Sequence, residues 1–261
     1  MDESPEINSY LVGSLDRGLA GLLQFTHQPE MTFSQFMQAS DLNKASAKRT
    51  LYTLEKNGFI RYNPNRKTYF LGVRLFELGT VAADNFALLK IAKPYMETIC
   101  AQINETVIVS QKVDDEQIYL HKIEGVGTVH LKTLIGYRRP LYYGLGRAIL
   151  AYLCEDDINN CLPEHLPAYE MNTITEREKF MLEVQVTRER GYAIDNEEFI
   201  EGVTGIGFPV FINEDQVFGL IGVVAPTQRF TCEKKDIVVN LLRKASSAVS
   251  AKLHGYIYNT I

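Results

Sequence analysis

The stretch from Thr32 to Leu71, TFSQFMQASDLNKASAKRTLYTLEKNGFIRYNPNRKTYFL, leaves the chain little freedom: its spacing predicts two short helices followed by a basic hairpin. Thr32 and Gln35 stand at capping-box spacing, each side chain able to satisfy a backbone N–H at a helix start, so a helix should open there and close near Ala39. After a tight turn, Asn43 can cap a second helix whose Ala47, Leu51 and Leu54 fall at i, i+4 and i+7, a single apolar stripe. The rest of that helix carries Lys44, Ala45, Ser46, Lys48, Arg49, Tyr52 and Lys56, a mixture of cations, small residues and hydrogen-bonding groups. Gly58 should stop it in the left-handed manner. Phe59-Ile60 and Tyr69-Phe70-Leu71 are β-prone runs around the turn Asn63-Pro64-Asn65-Arg66-Lys67. Helix, turn, helix and a two-stranded wing make a winged helix-turn-helix.

Between residues 43 and 74 there are eight Lys/Arg against the single acid Glu55, a local charge of +7 inside a chain of net charge −5. A charge run alone would suit an ordinary solvated surface. Cations at helical spacing beside a basic wing point to the phosphates and base edges of DNA. Splitting the chain at residue 83 gives nine Lys/Arg and eight Asp/Glu before the split and 18 and 24 after it. Only the first part is built for phosphate.

With 261 residues and 46% hydrophobic content, the chain can bury one or two globular cores. Its start is acidic and lacks an apolar leader, and its longest apolar run, Val217 to Pro226, is far below the roughly 20 residues of a membrane span. A cytoplasmic protein is expected. Cys100, Cys154, Cys161 and Cys232 match neither a disulfide framework nor a zinc motif, and His27, His121, His130, His165 and His254 show no metal-ligand pairing, so reduced thiols and no metal or cofactor are expected. No Gly-x-Ser-x-Gly, phosphate loop or catalytic carboxylate pair is present, which argues against an enzyme. The rival reading is a small-molecule enzyme with a DNA-binding appendage.

In chain order, residues 1–13 read as a loose tail. Ser14 can cap a first helix to about Gln28, with Leu15, Leu19, Leu22 and Leu23 as the stripe against which the next helices pack. After the wing, Val73 to Ala83 has helical spacing at Leu75, Leu78 and Ala82, and a further helix ends near Asn104. The reading divides the chain into a DNA-binding domain (14–72), a linker helix (73–86) and an effector-binding and oligomerisation domain (87–261). In the last, TVIVSQKV, QIYLHKIEG and TVHLKTLIG predict an antiparallel meander. Helices follow from Gly146 to Leu153 and from Thr175 to Arg190, the latter opened by a Thr175–Glu178 capping box and closed by Gly191. Strands Val203–Ile212 and Val217–Val224 flank the turn Asn213-Glu214-Asp215, and a final helix runs from Cys232 to about Leu253. The fold class is α+β with a central antiparallel sheet.

These residues carry a resemblance. SLDRGLAGLLQF, LNKASAKRTLYTLEKNGFI, YFLGVRLFELG, IGYRRPLYYGLGRAIL, RERGYAIDNEE and EGVTGIGFPV make the chain similar, over nearly its whole length, to the IclR family of bacterial transcriptional regulators. The resemblance implies an N-terminal winged helix-turn-helix and a C-terminal effector domain related to GAF and PAS sensors. It also implies a dimer or tetramer that binds double-stranded operator DNA and responds to a small organic acid. Two departures stand out. Between Pro140 and Gly146 the chain reads Leu-Tyr-Tyr-Gly-Leu, one residue short and without the family's Ser/Thr-Ala pair, and Gly205, ten positions after Asp195, replaces a common cysteine.

The DNA contacts expected from this reading are Lys44, Ala45, Ser46, Lys48 and Arg49 in the first turns of the recognition helix, with Arg66 and Lys67 of the wing on backbone or minor groove. For the effector, the Gly144-Leu145-Gly146 turn offers N–H groups and a positive helix end to a carboxylate. Asp195 would meet ligand hydroxyls, and Tyr143 and Gly205 complete the expected pocket, with Tyr142 and Phe208 as further aromatic walls. A sugar acid or keto acid is expected, and an aromatic acid is the alternative.

Overall fold

The computed structural model describes residues 10–83, 85–126 and 135–258. Residues 1–9, most of the expected strand TVHLKTLIG, and His130 lie outside the described residues. The chain forms two compact units, 1–85 and 86–261.

In the first unit, helix α1 (Gly13–Leu23) leads through a short 3-10 turn to strand β1 (Glu30–Thr32), helix α2 (Phe33–Ala39), helix α3 (Lys44–Lys56), the wing strands β2 (Ile60–Asn63) and β3 (Thr68–Leu71), and helix α4 (Val73–Ala83). The local chemistry works as expected at two helix starts. Thr32 and Gln35 form a reciprocal capping box, and the Asn43 side chain accepts from Ser46 N at 2.9 Å. Gly58 takes φ +76° after α3, a value that costs an L side chain about 1 kcal/mol or more. Phe25, Met31, Phe36, Leu42, Ala47, Leu51 and Ile60 make the core. β3 pairs with β2 on one side and with β1, which the sequence reading missed, on the other.

The first helix departs from expectation. Val12, in extended conformation, precedes it, Ser14 lies inside its first turn with no capping bond, and it ends at Leu23. It buries Gly21, not a leucine stripe: Leu15, Leu19 and Leu23 are more than half exposed. The reason is the close approach of Phe36, whose ring would sit 2.7 Å from a Cβ on Gly21. Gly21 sets the contact face, and of the expected stripe Leu22 alone packs against this core.

The second unit runs α5 (Ala87–Ile103), β4 (Thr106–Val113), β5 (Glu116–Ile123), β6 (Arg138–Pro140), a 3-10 turn (Gly144–Gly146), α6 (Arg147–Leu150), α7 (Glu155–Cys161), α8 (Arg177–Arg190), β7 (Ala193–Asn196), β8 (Val203–Phe211), β9 (Val217–Pro226) and α9 (Cys232–Tyr258). Among the described residues the sheet is antiparallel throughout, in the order β6-β5-β4-β9-β8-β7. Strand alternation divides it into two faces. Val107, Val109, Ile206, Phe208, Ile221 and Val223 pack under α5 and α9, whereas Ile108, Val217 and Leu220 pack with Leu141, Leu145, α6 and Phe180 of α8.

Three further local expectations are corrected. The helix foreseen from Gly146 to Leu153 is a 3-10 turn plus the four-residue α6, because the chain there closes successive tight turns, Gly146 N to Tyr143 O at 3.0 Å among them. Helix α8 starts at Arg177, so Thr175 lies outside it and no capping box forms. The sequence reading passed over α7, although Cys154 caps it with its sulfur and Glu155, Asp156 and Asp157 favour the positive end of its first turn.

Candidate functional site

In the first unit, α3 turns Ala47 and Leu51 inward, and at 100° per residue this points Arg49 and Lys56 almost directly away from the core, with Ala45 and Tyr52 within about 60° of that direction. Lys44, Ala45, Lys48 and Arg49 are exposed and Ser46 is half-buried. Ser46, Arg49, Thr50 and Thr53 also border a groove of about 590 Å³ whose other wall is Leu15, Gly18, Leu19 and Leu22 of α1. The wing tip carries Lys67 at φ +54°, and Arg66 reaches back 3.0 Å to Glu30, which also receives the Thr68 hydroxyl at 3.2 Å. An exposed pair of this kind is worth about 0–1 kcal/mol, so a DNA phosphate competes for Arg66 at small cost.

In the second unit, the structure brings Tyr143, Gly144, Leu145, Gly146, Asp195 and Gly205 together on one sheet face. Asp195 lies directly across from Gly205 in the β7–β8 register. Asp195 Oδ2 would stand 3.0 Å from a Cβ on Gly144, and Leu145 is laid over the β8–β9 glycines, where Cβ atoms on Gly205, Gly207 and Gly222 would meet it at 3.2, 3.1 and 2.9 Å. Thus the chain's own carboxylate stands at the turn expected to receive the ligand's, and Leu145 fills the room above Gly205. Phe208 is corrected outright: strand parity puts it on the opposite face, stacked on Tyr192 at 4.9 Å.

The sequence reading missed the charged centre of this face. Arg147 is 1% exposed, with its guanidinium paired with Glu198, one nitrogen at 2.7 Å from Oε1, and bonded to Ile194 O. Its Nε, like Nε2 of the fully buried Gln117, has no partner among the described residues. Around this pair, Tyr142, Tyr143, Leu166, Pro167, Tyr169, Thr173, Ile174, Phe180 and Phe199 enclose a cavity of about 20 Å³. Tyr143 meets Tyr169 edge-on at 4.5 Å, and Tyr169 meets Phe199 at 5.6 Å. The segment carrying Tyr169 is pinned through Thr173, whose hydroxyl donates to Glu198 O at 2.5 Å while accepting from Glu170 N at 2.8 Å.

Burial dominates the electrostatics. It pushes the Asp195 carboxyl up to about 6, with Glu198 adding to the rise while the Glu198 N–H and Arg147 oppose it. Burial also pushes the Tyr119 phenol up to about 12, against the pull of Arg139, and raises Tyr143 as well. An acid whose folded value is raised contributes stability below its unfolded pKa and loses it as pH climbs through the folded value. Asp195 therefore weighs against folding above pH 6. Asp195→Asn should be more stable than the parent by about 1–3 kcal/mol at pH 8, with the advantage gone by about pH 4. Urea melts at both pH values check this, and a gain of equal size at pH 4 would contradict it.

Residues 14–64 match the IclR helix-turn-helix domain, and residues 80–251 match the C-terminal domain of bacterial IclR transcriptional regulators. The HTH-type transcriptional regulator KipR of Bacillus subtilis is 33% identical over 242 residues, 92% of this chain and 96% of that protein. A crystal structure of an IclR transcriptional regulator from Alicyclobacillus acidocaldarius superposes with a TM-score of 0.83 at 28% identity, covering 94% of this chain and all of that one. An IclR homologue from Microbacterium hydrocarbonoxydans, crystallised with 4-hydroxybenzoate, shares the fold with a TM-score of 0.79 at 21% identity over 93% of this chain and 99% of its own.

Proposed function

Because this chain belongs to the IclR family of bacterial transcriptional regulators, we propose that it binds operator DNA as a dimer or tetramer and that a small organic acid adjusts that binding, in control of a carbon-source catabolic operon. It is a regulator and not an enzyme, as its relatives are. In this reading residues 14–72 bind DNA, 73–86 link, and 87–261 bind the effector and oligomerise. The observation that carries the DNA half is the α3 surface, where Arg49 and Ala45 lie opposite the buried Ala47–Leu51 stripe, Ser46 and Lys48 flank them, and Lys44 is exposed at the helix start. The wing's Arg66 and Lys67 supply phosphate contacts.

Oligomerisation is supported by α4, which buries no residue in the chain and exposes Val73, Phe76, Leu78 and Val81. Apolar side chains on so short a helix ask for a partner, and two half-sites double the contact one recognition helix makes. Light scattering should give at least two chains per molecule, falling to one in Phe76→Asp with Val81→Asp. A monomeric parent, free and on DNA, would overturn this part.

For the effector, the acceptor Asp195 beside the Tyr143–Gly146 turn supports a hydroxylated sugar acid or a keto acid. The cage of Tyr143, Tyr169 and Phe199 favours the second reading, an aromatic acid of the kind held by the Microbacterium protein. Retention of genomic fragments by the purified protein, followed by competition with acids of both classes, tests the whole. If no fragment is retained, or if no acid changes retention, the reading fails.

A further inference from the structure

Resting on the reading of the second unit as an acid sensor, we propose that Arg139, not the Gly144–Gly146 turn, is the residue that recognises the effector's carboxylate. Arg139 lies on β6 directly opposite Gln117 of β5, so both side chains share the sheet face that carries Tyr119 two residues along. Its guanidinium carbon stands 5.9 Å from the Tyr143 ring, 6.0 Å from Phe199 and 5.8 Å from Tyr137. It is half-buried and, among the described residues, pairs with no carboxylate; its one hydrogen bond there is a long one, 3.4 Å, to Arg138 O. Its neighbour Arg138 does the opposite, facing Glu116 at 3.5 Å on the other side of the strand. A planar five-donor fork held over aromatic faces, with no acid of its own, suits a carboxylate that arrives flat against those rings.

The alternative seat is closed on three counts. Asp195 Oδ2 already stands against Gly144, Leu145 covers the glycine floor, and a 3-10 turn with a four-residue helix has little dipole to offer. An anion placed there would face a second carboxylate across a few ångströms of low dielectric. Two further unpaired groups on this face, Arg147 Nε and Gln117 Nε2, are pure donors that only an acceptor can meet, and the third, the Thr106 hydroxyl, can donate as well. A carboxylate on Arg139 supplies acceptors and leaves Asp195 to accept from ligand hydroxyls. The 20 Å³ cavity admits no such acid until Tyr169 and the chain pinned by Thr173 move aside, so binding and opening are one event.

The test is calorimetric titration of the full chain with benzoate, 4-hydroxybenzoate, gluconate and pyruvate, each against its neutral amide. At least one acid should bind and its amide should bind more than tenfold weaker. Arg139→Gln should weaken that acid by about 10- to 150-fold and bring acid and amide level, with Arg139→Lys between and Arg138→Gln like the parent. A response to the benzoates alone assigns the aromatic source and a response to gluconate or pyruvate alone the sugar or keto acid, with Arg139 the contact in either case. If an acid binds Arg139→Gln as tightly as the parent, or binds the parent no better than its amide, Arg139 is not the anion contact although the sensor reading stands. If the parent takes up none of the acids, the sensor reading fails and this assignment with it. Should Arg139→Gln lose its thermal transition, the acid-to-amide ratio on the parent and on Arg139→Lys decides.

Discussion

Glu198→Ala should destabilise the second unit by about 3 kcal/mol, because it strips the carboxylate from a guanidinium that is 1% exposed. The usual cost of removing one partner of a buried pair is about 3–5 kcal/mol, and two features place this case at the low end. The Ile194 carbonyl remains on the same guanidinium, and Asp195 is near enough to feel Arg147 and can take up part of its charge. The second variant, Glu198→Ala with Arg147→Met, should recover most of the loss, since an apolar pair of similar volume avoids stranding a charge. Denaturant midpoints for the three proteins read this directly. A single variant within about 0.5 kcal/mol of the parent, or a double variant no better than the single, would mean that Arg147 reaches water and that the site is open.

How much of this was legible in the sequence depended on range. The Thr32–Gln35 capping box, the Asn43 cap, the Ala47–Leu51 stripe, the Gly58 stop, the Gly191 stop and the β8–β9 hairpin are written within a few residues of one another, and the structure repeats them. The first helix was misread because leucines at helical spacing count as core only if something covers them, and the covering residue here is Phe36 on another element. The pair of the fully buried Arg147 and the half-buried Glu198 spans 51 positions, so no local window contains it. One signal was available: a lone arginine inside the apolar run Gly-Arg-Ala-Ile-Leu must either reach the surface or be paired, and α6 is buried all round. Phe208 could also have been excluded by parity, since Gly205 and Phe208 lie an odd number of residues apart on one strand and cannot share a face.

Alanine at both Lys48 and Arg49 should remove sequence-specific binding, lowering operator affinity by about 10²- to 10³-fold at fixed salt. Each contact to a base edge is worth about 1–3 kcal/mol, and two residues on one turn that share a register fall short of simple addition. Arg49 carries the larger share, because it points almost straight out from the Ala47–Leu51 stripe and its fork can take two acceptors of guanine, whereas Lys48 lies on the flank, where a base or a phosphate is within reach. The two components separate by salt. A phosphate contact changes the slope of log affinity against log salt by about 0.9 and weakens all sequences alike, whereas a base contact changes the ratio of operator to random DNA and leaves the slope unchanged. Arg49→Ala should therefore collapse the ratio, and Lys48→Ala should divide its effect between ratio and slope. The fold should be unaffected, since both side chains are exposed and neither belongs to the core of the first unit. If the double variant discriminates operator from random DNA as the parent does, readout lies outside α3, and the groove-lining side of α1 and the wing become the surfaces to vary next.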